Sequence, residues 1–172
     1  KLDYASNLVA GLSYLFLKQF DAVGLTVFND QVVQHIPPRS KPSHLQHILH
    51  ELSTLSAKGV TQIEDVLARL TERLHGRGML ILISDFLTRE QDIQKSLKLL
   101  RSRGLEVILF HVLHPDELNL PFEGDTVFES LEDDPMVGLD PIDVREGYQK
   151  AIQEQIDHLK NISNGLGVDY AL

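Results

Sequence analysis

GMLILISDF, residues 78–86, runs five apolar side chains without a break from Met79 to Ile83 and then turns polar at Ser84 and Asp85. Arg73 and Arg77 stand before it and Thr88 beyond it. A short, unbroken apolar run bounded by turn signals fits a strand buried on both faces, as inside a parallel sheet. Such a strand delivers its last side chains to the carboxyl edge of the sheet, outside which ligands bind in open α/β folds. Asp85 is therefore the first residue expected to carry chemistry.

Working outward, LEVILFHVL (105–113) and AVGLTVF (22–28) repeat the pattern. Val23–Phe28, Met79–Ile83 and Val107–Val112 are thus expected as strands covered on both faces. Asn29-Asp30 turns into QVVQHI, a shorter strand that Pro37-Pro38 should terminate. Proline cannot donate to a ladder, so this strand belongs at a sheet edge, antiparallel to its neighbour. Leu2, Ala5, Val9, Leu12, Phe16 and Phe20 recur at helical spacing and predict a helix over 2–20. Ser43 should cap a second helix with Leu45, Ile48, Leu49, Leu52 and Leu55 on one face, broken at Gly59. Thr61 to Glu64 reads as a capping box before Ile63, Val66, Leu67, Leu70 and Leu74. Thr88 to Gln91 is a similar cap before Ile93, Leu97 and Leu100, and Gly104 ends that helix. Asp143 to Glu146 should cap a last long helix bearing Val144, Tyr148, Ile152, Ile156, Leu159 and Ile162, stopped by Gly165 and Gly167 before a final strand, VDYAL. Between them, 115–143 is acidic and proline-bearing, with one short strand in TVFES. Strands alternating with helices predict a three-layer, Rossmann-like α/β domain over 1–172: a mostly parallel sheet, one antiparallel edge strand, helices on both faces.

The chain has 172 residues, 42% hydrophobic and 24% charged, enough for one domain with a core. It has no cysteine, which excludes disulfides and thiolate metal sites. No apolar run approaches the ~20 residues of a membrane span, and KLDYASN does not read as a secretory signal. A cytoplasmic location without membrane insertion is the expectation. The net charge of −9 is uneven: residues 1–115 carry 13 Lys+Arg against 11 Asp+Glu, and residues 116–172 carry 3 against 14. An acidic C-terminal third argues against nucleic acid and leaves cations or a basic protein surface as partners.

Several pieces together, KLDYASNLVAGLSYL, FDAVGLTVF, GVTQIEDVL, LILISDF, RGLEVILFHVLHPDEL, VREGY and GVDYAL, resemble the bacterial uncharacterised-domain family numbered fifty-eight. Part of that family is similar to von Willebrand factor A domains. The resemblance spans nearly the whole chain in the family's order. It implies a protein-binding module and not an enzyme, often holding Mg²⁺ in a metal-ion-dependent adhesion site, with a MoxR-type ATPase as partner. Thr61 matches that site's threonine position and Asp85 its aspartate position. The site's D-x-S-x-S loop is absent from this chain. In the family it follows a central first strand upstream of Lys1, so the chain is expected to be an N-terminally truncated part of a longer protein. Mg²⁺ is then expected in the full-length parent and not in this chain, which should self-associate through the strand edges left open.

Each candidate has a plainer reading. Asp85 as a hard-cation ligand competes with a strand-ending aspartate bonded to local amides. Thr61 as a ligand competes with its own helix cap. His44, His47 and His50 invite a zinc site, but at helical spacing their directions spread over about 120° and do not converge, which favours a solvated flank. His111 and His114 flank a strand end without a serine or cysteine nucleophile identifiable beside them. The acidic 123–143 stretch, with EDD at 132–134, lacks the calcium-loop pattern and reads as a solvated excursion or an electrostatic patch for a basic partner. The alternative to a binding module is a metal-dependent hydrolase or phosphotransfer protein using Asp85 at the carboxyl edge.

Overall fold

A computed structural model describes residues 1–29, 31–56, 63–74, 77–87, 90–124, 126–129 and 136–172. The fold is mixed α/β and divides into two compact units, Lys1–Leu70 and Thr71–Leu172.

The first unit begins with helix α1 (Leu2–Lys18). Leu17 is buried, and Leu2, Ala5, Val9, Leu12 and Phe16 are half-buried, as their spacing requires. Phe20 departs from that face. The helix stops at Lys18, Phe20 takes a left-handed φ of 64°, and its ring is 80% exposed. Strands β1 (Val23–Phe28) and β2 (Val32–Arg39) pair antiparallel. β2 does not stop at Pro37-Pro38 but runs through them to Arg39, which pairs with Val23. Gly24 makes this workable, because a Cβ there would lie 2.9 Å from the Ile36 carbonyl and 3.1 Å from the Pro38 ring. The ladder is irregular between Val23 and Leu25, where a missing side chain and a bulge let a proline ring approach. No β1 side chain is fully buried, against the expectation of cover on both faces. A two-stranded ribbon has only one neighbour to lean on.

Helix α2 (His44–Ser53) buries His44 and Ile48. It ends before Leu55, and Ser43 at its N-cap makes no side-chain capping bond because its own backbone is already helical, at φ −63° and ψ −18°. Helix α3 (Ile63–Arg73) runs on into the second unit, with Val66, Leu67, Leu70 and Thr71 buried. The break at Gly59 and the capping box at Thr61 lie outside the described residues, as does the Thr88 cap.

The second unit is built on three parallel strands in the order β3 (Gly78–Ser84), β4 (Leu105–His111), β7 (Asp169–Ala171). β3 and β4 pair residue for residue from Gly78↔Leu105 to Ser84↔His111. β4's continuous apolar run conceals an alternation: Leu105, Val107, Leu109 and His111 are buried, whereas Glu106 is exposed and Ile108 and Phe110 are half-buried. Helix α4 (Glu90–Ser102) packs on β4 with Ile93, Leu97 and Leu100 buried. Helix α6 (Pro141–Leu166) packs on α4 and β7. α6 starts earlier than Asp143 because Asp140 is its cap, accepting from the Ile142 amide at 3.0 Å, with Pro141 in the first turn. Gly167, at φ 63°, closes it in the left-handed conformation that glycine adopts without strain.

Two elements, the helix at Pro115–Asn119 and the strand at Met136–Leu139, were not expected from the sequence. Helix α5 (Pro115–Asn119) is capped reciprocally by His114 and Glu117. Strand β5 (Thr126–Glu129), the expected TVFES strand, pairs antiparallel with β6 (Met136–Leu139). Arg145 on α6 donates to the carbonyls of Leu120 at 3.0 Å and Phe122 at 2.7 Å, and Gln149 donates to Asn119. The start of the acidic excursion is thereby tied to α6. The EDD residues 132–134 lie outside the described residues.

Candidate functional site

The carboxyl ends of β3, β4 and β7 meet around one imidazole. The His111 ring, at the end of β4, is 2% exposed. Its Nε2 stands 2.9 Å from the Asp85 carbonyl. A carbonyl only accepts, so Nε2 carries the hydrogen. In the neutral ring Nδ1 then accepts from the Tyr170 hydroxyl of β7, 2.8 Å away. Burial, with the Asp157 carboxylate adding to it, pushes the Tyr170 phenol up to about 12, so it keeps the proton it donates.

The residues after β3 are held from several sides. Ser84 Oγ accepts from the Phe86 amide at 3.1 Å, a local turn that lifts the chain out of the strand. Phe86 adopts φ 50°, a left-handed conformation that a bulky residue keeps only when its surroundings enforce it. They do. Its ring is fully buried and meets His111 edge-on at 5.5 Å, and Gln155 of α6 donates to its carbonyl at 2.9 Å. Asp85 lies between these fixed points and is itself half-buried. The sheet thus delivers a carboxylate on a rigid backbone at its carboxyl edge, where the apolar-then-polar pattern of GMLILISDF leads.

Thr61 lies outside the described residues, so the expected pair of Thr61 and Asp85 reduces to Asp85. Among the described residues no group of three or more His, Asp or Glu could hold a metal ion. Mg²⁺ is commonly held by one or two carboxylates with waters completing its octahedral shell, and of the two expected ligands Asp85 is the one within the described residues. The helical histidines do not converge. His44 is buried with Nε2 donating to the Val23 carbonyl at 2.9 Å, while His47 and His50 are exposed. His114 caps α5. His111 and Tyr170 were the residues that sequence reasoning missed as a pair. The available signal was that each closes an apolar strand at the same edge.

No curated protein matches the chain. The sequence model of one family, described as a protein of unknown function, DUF58, matches residues 1–158. The chain belongs to the DUF58 family. The DUF58 chain is similar in fold to two solved structures. One is an aerotolerance-related membrane protein from Bacteroides fragilis NCTC 9343 carrying multiple mutations to serines. It shows 19% identity, a TM-score of 0.59, and coverage of 98% of this chain and 79% of that one. The other is the conserved hypothetical protein BatB from Bacteroides thetaiotaomicron, at 17% identity and a TM-score of 0.57, covering 95% and 88%. Among the described residues of the DUF58 chain, no helix is long and apolar enough to cross a membrane.

Proposed function

We propose that this DUF58 chain is a non-enzymatic, von Willebrand A-like module that binds another protein through the carboxyl edge of β3, β4 and β7, with Asp85 as the group it offers. The observation that carries this reading is the double engagement of His111, which fixes the Asp85 carbonyl while hydrogen-bonding Tyr170. A recognition group gains affinity when its backbone is ordered before the partner arrives. The same engagement counts against hydrolysis. The imidazole beside Asp85 is buried with both nitrogens hydrogen-bonded within the protein. A general base must reach the proton it abstracts. The MoxR-type ATPase implied by the family resemblance is the partner this reading names. In a longer protein carrying D-x-S-x-S, Asp85 and Thr61 would join a Mg²⁺ shell. This chain alone supplies too little of that shell to hold the ion tightly.

A broad phosphatase and esterase screen separates binding from hydrolysis. No turnover above buffer is expected. Reproducible turnover that Asp85→Ala abolishes would overturn the reading in favour of a hydrolase.

A further inference from the structure

The first unit carries a second polar feature, independent of Asp85. Ile36, Pro37, Arg39, Lys41, Ser43, His44 and His47 line a groove of about 380 Å³ between the end of β2 and the start of α2. Among the described residues no carboxylate lines it. Residues 31–50 hold Arg39, Lys41 and four histidines and no acidic residue, in a protein whose net charge is −9. Arg39, Lys41, Ser43 and His47 are all exposed. Among the described residues neither a hydrogen bond nor an ion pair engages the Arg39 guanidinium, the Lys41 ammonium or the Ser43 hydroxyl.

The frame under these donors is fixed. Ile36, 1% exposed, forms the floor, and the buried His44 ties the first turn of α2 to β1 through the Val23 carbonyl at 2.9 Å. Arg39 is held at the other end by its ladder position opposite Val23. Both anchors therefore converge on one β1 residue, which sets the spacing between Arg39 and the helix. A guanidinium fork, an ammonium and a hydroxyl around an apolar floor match an oxyanion with a small organic body. The volume lies within the range of roughly 300–1,000 Å³ typical of small-molecule sites.

We propose that this groove binds a small molecule by its oxyanion group, a phosphate or a carboxylate, with Arg39 and Lys41 supplying the charge and Ser43 and His47 further donors. Calorimetric titration of the chain at constant ionic strength tests it, with inorganic phosphate and succinate as the two probes. Saturable binding of at least one probe is expected, with Kd on the order of 1 mM. The responding probe assigns phosphate or carboxylate. The Arg39→Gln/Lys41→Gln variant should weaken that binding about tenfold or more. A Lys98→Gln/Lys150→Gln variant, which removes the same charge from exposed sites in the other unit, should leave it unchanged. Amide shift changes on titration should centre on Ser43, His44 and His47, which gives a readout in the unaltered chain. Absence of saturation with both probes, or an equal loss in the Lys98/Lys150 control, would overturn the proposal.

Discussion

At the scale of the residue, the buried imidazole of His111 decides where Asp85 stands. His111→Ala removes the imidazole that engages both the Asp85 carbonyl and the Tyr170 hydroxyl and opens a cavity beside Phe86. Denaturant unfolding should show a loss of about 2–4 kcal/mol. A loss under about 0.5 kcal/mol, the scale of a surface substitution, would mean the network does not hold the edge together. Tyr170 makes a separate prediction. Its folded pKa is raised from 10.0 to about 12, so folding favours the protonated phenol. Its stabilising contribution is complete below pH 10 and declines as pH rises from 10 to about 12. Tyr170→Phe should therefore flatten the alkaline fall of the unfolding midpoint and remove the highest step from the tyrosinate absorbance titration. Retention of that step would assign it elsewhere. The end of β3, with Asp85 just beyond it, could be read from sequence because polarity after an apolar run is a local signal. The place of His111 at a strand end was also legible, but its bonding network was not, since its partners are 26 and 59 residues away and only strand pairing brings them together.

At the scale of the element, most strands and helices followed from periodicity, α5 and β6 excepted, and several ends were set by tertiary contacts. β2 continues through two prolines because Gly24 across the ladder leaves room for the Pro38 ring. Gly24→Ala should cost about 1–3 kcal/mol in thermal or chemical unfolding, because the new methyl group meets a backbone carbonyl at 2.9 Å. A neutral result would show that the hairpin adjusts freely. The continuous apolar run of β4 suggested full cover, yet only alternate side chains are withdrawn from water. Composition alone does not distinguish a half-buried apolar face from a buried one. The same limit applied to α2, where His44 looked like a solvated flank and is instead a core residue satisfied by a carbonyl.

At the scale of the whole molecule, the alternation of strands and helices was enough to predict a mixed α/β fold with parallel strands. What it could not supply was which groups far apart in sequence meet at the sheet's carboxyl edge, as His111 and Tyr170 do. This chain is expected to bind Mg²⁺ weakly or not at all, and tight stoichiometric binding in a calorimetric titration would contradict that. Among the described residues β3 and β7 form the edges of the parallel sheet, and Met79 on β3 is 48% exposed. Open edges are templates for association, so light scattering should detect dimers or larger species, and a strictly monomeric sample would count against an open edge. The most direct test of Asp85 as a recognition group is the affinity of a purified MoxR-type ATPase for the wild-type protein and for Asp85→Ala, compared at matched unfolding midpoints. Docking through the carboxyl edge predicts at least about a tenfold weakening. Equal affinity for the two proteins would contradict it.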